Sequence, residues 1–138
     1  MKRYMVLFAL LLFAALSWGE TPPAGDDPIA QALFAPELIM KYHSEIALDD
    51  SQSKSIKELV QKAQTKFVDM QWEMQGEAEK LVKLLNARPV DESAVLAQMD
   101  RVLNLERDIK KAQVSLMVRI KNTLTAAQQD KLIELRRK

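Results

Sequence analysis

The sequence predicts an all-α protein built on a long antiparallel helical hairpin with short flanking helices. Three observations carry this. Residues 50–86 and 92–122 each repeat apolar side chains at steps of three and four, the period of an amphipathic helix. The run Asn86-Ala87-Arg88-Pro89-Val90 separates them and is too short to let the second helix do anything but return along the first. No stretch alternates apolar and polar residues in the way a strand requires.

The first 19 residues read as an export signal. Lys2 and Arg3 form a basic start, Tyr4 to Leu16 is almost purely apolar, and Ser17 and Gly19 supply the small residues of a cleavage site before Glu20. The apolar run covers roughly 20 Å of helix against about 30 Å of bilayer core, so a permanent membrane anchor is not expected. No cysteine follows the site for lipid attachment. The expected location is the periplasm, with the signal removed near Gly19.

Removing Lys2 and Arg3 from the 20 Lys and Arg leaves 18 cations against 19 Asp and Glu. A chain so near neutrality, with both signs interspersed, has no broad footprint for nucleic acid. The absence of cysteine suits an oxidising compartment and excludes disulfide stapling, so stability has to come from helix packing or from a partner subunit.

Residues 20–35 are expected to be a flexible arm, rich in proline and acid at its start, with a short helical turn from Asp27-Pro28 through Phe34. Residues 36–138 form the hairpin domain. Pro36 opens a short helix to Ile46. The first long helix carries Ile56, Val60, Ala63, Phe67, Met70, Met74, Ala78, Leu81 and Leu85 along one stripe, interrupted by no breaker except Gly76. Asp91 caps the second, whose stripe is Val95, Met99, Val102, Leu105, Ile109, Ala112, Leu116 and Ile120. A last helix runs from Ala126 to about Arg136, with Arg136, Arg137 and Lys138 opposing the negative end of its dipole.

Two five-residue segments start helices in the same way: Leu48-Asp49-Asp50-Ser51-Gln52 and Leu124-Thr125-Ala126-Ala127-Gln128. In each, an oxygen-bearing side chain precedes a glutamine by three residues. That is the spacing of a capping box, in which the cap oxygen accepts the third helical N–H and the glutamine reaches back to the N–H of the cap. The pair, with leucine before each cap and a long hairpin between them, resembles the LTxxQ signature of the Spy/CpxP family and the related periplasmic heavy-metal sensor and resistance proteins. The second copy matches that signature fully. In the first, Asp49 stands where the family has threonine, and an oxygen is still available to cap.

The resemblance implies a periplasmic, ATP-independent chaperone or envelope-stress protein that holds unfolded envelope proteins on an apolar helical surface and assembles as a homodimer. Its alternative is a periplasmic heavy-metal-binding sensor or resistance protein. No enzyme is expected: there is one histidine, no cysteine and no glycine-rich phosphate loop. No cofactor is expected either, unless a divalent metal or Cu(I) binds. The candidate ligands are Met40 and His43, three residues apart and so on one face of the Pro36–Ile46 helix, where thioether, imidazole and a carboxylate would suit Cu(I), Ni(II) or Co(II) according to which converge. Metal-sensing relatives have further histidines that this chain lacks.

Candidate client contacts are Phe67, Met70, Trp72 and Met74. Adaptable thioethers and an indole make the tolerant apolar surface that promiscuous binders use. Trp72 stands about 200° round the helix from Met70, so it is placed on the other side of the hairpin from the seam.

Overall fold

Five helices follow one another in the computed structural model, which describes residues 27–138; the expected signal segment and residues 20–26 of the arm lie outside them. They are α1 (Pro28–Ala32), α2 (Pro36–Lys41), α3 (Asp50–Leu85), α4 (Glu92–Thr123) and α5 (Ala126–Arg136), and the described residues contain no strand. The described residues fall into two units, 27–32 and Leu33–Lys138. Of the first, α1 is an exposed single turn in which Asp27 Oδ1 accepts the Ile29 N–H at 2.9 Å.

In the second unit α3 and α4, of 36 and 32 residues, pack along each other as an antiparallel hairpin. At 1.5 Å per residue α3 is about 54 Å long. Its buried residues Ile56, Phe67, Met74 and Leu81 face Gln98, Val102, Ile109, Leu116 and Ile120 of α4. The deepest rows recur every seven residues, the step that keeps one stripe against a neighbouring helix. Leu85, expected on this stripe, is 42% exposed because the helix ends there and nothing packs over it. Asp91 caps α4 through its Oδ1, which accepts the Ala94 N–H at 3.1 Å.

Most of the core sits at the end of the hairpin away from the α3–α4 loop. There Phe34, Ile39 and Ile46 from the N-terminal side and Leu132 and Leu135 from α5 enclose Ile56, Ile120 and Leu124. The arm expected to extend to residue 35 therefore ends sooner. Leu33 and Phe34 are buried, Arg136 donates to the Leu33 carbonyl at 2.5 Å, and its guanidinium stands 5.0 Å from the centre of the Phe34 ring.

The expected Pro36–Ile46 helix is also shorter. It stops at Lys41, and the chain turns through Ala47, whose φ of 51° lies in the left-handed region. Leu48 N donates to the His43 carbonyl at 3.0 Å and Ala47 N to the Ser44 carbonyl at 3.1 Å. That bond pair is the Schellman closure, with alanine where glycine is usual.

Candidate functional site

Both capping boxes are complete, and they meet. Asp49 Oδ1 accepts from Gln52 N at 2.7 Å while Gln52 Oε1 accepts from Asp49 N at 3.1 Å. Thr125 Oγ1 accepts from Gln128 N at 3.2 Å, and Gln128 Oε1 accepts from Thr125 N at 2.9 Å. The two glutamine amides then bond to each other: Gln52 Nε2 to Gln128 Oε1 at 2.7 Å and Gln128 Nε2 to Gln52 Oε1 at 3.0 Å. Their remaining donors reach across to backbone, Gln52 to Thr123 O at 2.8 Å and Gln128 to Ile46 O at 3.2 Å. Leu48 and Leu124 pack on the core beside them. The motif residues thus form one fully bonded junction that fixes where α2, α3, α4 and α5 come together.

The two long helices are held in register at both ends. Gln52 Nε2 on the Thr123 carbonyl sets it at the core end, and Gln98 Nε2 on the Glu77 carbonyl, at 2.8 Å, sets it near the loop. Gln98 also donates to Glu77 Oε2 at 2.6 Å, and Lys80 Nζ lies 2.7 Å from Oε1. Lys80 first, then Gln98, hold the Glu77 carboxyl below the usual glutamate range. The apolar stripe of α4 gives no sign that Gln98 is buried; the signal is its position, four residues before Val102 on the seam.

With this register Ala63 stands level with Ala112, and Met70 with Leu105. Two small side chains at one level leave a groove of about 700 Å³ open along one face of the hairpin. Leu59, Met70 and Leu105 line it, over a floor of Phe67 and Leu116. Lys62, Lys66, Lys111 and Arg119 stand along its edges with Glu73 and Asp108, the latter paired to Arg107 at 3.2 Å. The groove is apolar at its base and predominantly cationic at its rim.

The four expected client contacts are distributed over three environments. Phe67 and Met74 are 6% and 5% exposed and belong to the seam. Met70 is half-buried in the groove wall. Trp72 is 70% exposed and absent from the groove. The separation follows from helix geometry, since five residues from Phe67 turn Trp72 about 140° away.

Met40 and His43 do not share a helix face, because α2 has ended before His43. His43 Nδ1 donates to the Met40 carbonyl at 2.8 Å, and its Nε2 lies 3.2 Å from Ser44 Oγ. The ring closes the turn after α2, while Met40 is 69% exposed.

The family model described as heavy-metal resistance matches residues 5–131. The chain belongs to that family. Heavy-metal resistance proteins of this kind are among the Spy/CpxP-like periplasmic helical proteins. They are generally periplasmic, and among the described residues no helix is long and apolar enough to cross a membrane. No curated protein and no solved structure matches the chain. The family description raises the question of a metal, and the His, Cys, Asp and Glu side chains among the described residues do not form a chelating centre. Both nitrogens of the one imidazole are engaged in its own turn, and among the described residues no three His, Cys, Asp or Glu side chains are grouped to hold an ion.

Proposed function

We propose that this heavy-metal resistance protein is an exported, ATP-independent chaperone that holds non-native envelope polypeptides in the groove of its hairpin. The observation that carries the reading is the open groove at Ala63 and Ala112, with an apolar floor and a cationic rim. Unfolded chains expose apolar segments, and a shallow surface with a methionine in its wall accommodates many of them without fixed side-chain pockets. The surrounding lysines and arginine draw in segments that also carry acid. Holding needs no energy source and no catalytic group, because anything that binds the unfolded state keeps it from aggregating by mass action alone.

Such a role fits metal resistance without chelation. Metal ions bind the histidines and cysteines of unfolded chains and so pull client proteins out of their native state. A protein that retains those chains would protect the envelope while itself leaving the metal free.

The reading is tested by light scattering of a chemically denatured client, with the protein alone, with added Cu(I) or Ni(II), and with chelator. Equal suppression in all three arms, unchanged by His43→Ala, is expected. Suppression that requires metal and vanishes in His43→Ala would replace holding with direct metal sensing through Met40 and His43.

A further inference from the structure

The rim of the groove is charged in order along its length. Gln52 is level with Thr123 and Glu77 with Gln98, so each step along α3 is matched by one step back along α4. Arg119, four residues before Thr123, therefore stands level with Ile56, and Lys111 with Gln64. With Lys62 and Lys66 they set four cations along the stretch nearest the core end, from the level of Ile56 to that of Lys66, about 15 Å. The carboxylates follow: Asp108 is level with Phe67, and Glu73 stands at the end nearer the α3–α4 loop. Arg119 and Glu73 thus mark opposite ends, seventeen residues of α3 or about 25 Å apart. Among the described residues, Arg119, Lys62, Lys66, Lys111 and Glu73 are in no ion pair.

Between these ends the floor and walls are apolar. They run from Leu59 and Leu116, which are level, to Met70 and Leu105, eleven residues or about 16 Å further on. A single acyl chain spans ~15 Å, half of the hydrocarbon core of a bilayer. Helices packed side by side lie about 8–10 Å apart, so the trough between them is one chain wide. Its volume of about 700 Å³ is that of a small-ligand site. An acyl chain carries no polar group, so nothing in it is left unpaired on leucine, alanine, phenylalanine and methionine.

We infer that the groove binds a free long-chain fatty acid, its carboxylate at the Arg119 end and its methyl end between Met70 and Leu105. Arg119 offers the planar fork that receives a carboxylate through two bonds, and Lys62, less than two turns further along the facing helix, adds a second cation. Glu73 repels the head group from the other end, so the chain enters in one direction. An unfolded polypeptide, whose acids and bases fall anywhere along it, has no need of this order. The inference goes beyond client holding and stands on the geometry of the groove alone. A bound fatty acid shares the floor with a client and so competes with it.

The experiment is isothermal titration calorimetry of the purified protein with saturated fatty acids below their micellar concentrations, with circular dichroism as the control for helix content. Myristate should bind. Each further pair of methylenes, from decanoate to laurate to myristate, should tighten binding at least about fourfold, as expected when about half of each methylene is covered. Myristyltrimethylammonium, with the same chain and a cationic head, should bind at least about tenfold more weakly than myristate. Arg119→Glu combined with Lys62→Glu should weaken myristate binding at least about fivefold, an effect that added salt reduces. Glu73→Lys, at the methyl end, should bind myristate at least as tightly as the wild type. No myristate binding at about 100 µM, equal binding of the ammonium amphiphile, normal binding by the Arg119→Glu/Lys62→Glu variant, or its loss in Glu73→Lys would each overturn the inference. Client suppression by the lipid-free protein is a separate measurement, so either reading can fail without the other.

Discussion

Gln52 and Gln128, 76 residues apart, exchange amide hydrogen bonds in both directions at 2.7 and 3.0 Å. Each glutamine also closes its own capping box and bonds the backbone beside the other motif, Gln52 on Thr123 and Gln128 on Ile46. Two local helix-start signals are therefore also one long-range contact. The leucine, the cap oxygen and the glutamine have distinct jobs: core packing, helix initiation and cross-linking of the two helix starts.

Gln128 is the more deeply buried of the pair, and Gln128→Ala should be the more damaging substitution. It removes the bonds to Gln52, Thr125 N and Ile46 O and leaves buried groups unpaired, at a cost of about 3 kcal/mol. Gln52→Ala should cost about 2 kcal/mol, and the double variant less than the sum, since both remove the same amide pair. Urea titration of the four proteins gives the coupling directly. Additive losses would mean that the amides do not interact in solution.

Two backbone substitutions should stabilise the chain, for opposite reasons. Ala47→Gly relieves a side chain held at φ 51° and should add up to about 1 kcal/mol. Gly76→Ala places a methyl group where no atom beyond its chain neighbours and its own helix backbone lies within 4 Å, on a helix that gains about 1 kcal/mol from the better helix former. Thermal melts check both.

Much of the architecture is legible in the residue pattern. The hairpin, its all-α class and the seam through Phe67, Met74, Val102, Ile109 and Leu116 follow from steps of three, four and seven. The amide pair is not legible, because periodicity says which residue faces inward and nothing about which helix start meets which. Gln98 is hidden for a related reason: its burial is balanced by a carbonyl and a carboxylate of the opposite helix, which no local pattern reveals. Phe34 lies between an alanine-rich turn and a proline and so reads as arm, until α5 supplies the surface that covers it. The groove depends on two alanines meeting at one level, and each alone looks like an ordinary stripe residue.

Acid should loosen the loop end of the hairpin. Lys80 and Gln98 depress the Glu77 carboxyl, so its stabilising contribution is complete above the ordinary glutamate range, near pH 4.3, and is lost as pH falls through the lower folded value. Glu77→Gln keeps the backbone carbonyl for Gln98 and removes the titrating group. Denaturant midpoints at pH 6 and pH 3 should differ more for wild type than for this variant. Equal differences would place the acid sensitivity elsewhere.

The most direct measurement on client holding is to fill the groove from two partly buried positions in its wall. Ala112→Leu and Ala63→Leu each project a larger side chain from a partly buried position at the core's edge into the open space between the helices. Suppression of client aggregation, assayed beside thermal stability and oligomeric state, should fall severalfold in Ala112→Leu and further in the double variant, with melting temperature and association unchanged. Full suppression by a folded Ala63→Leu/Ala112→Leu protein would contradict the assignment of client holding to this groove.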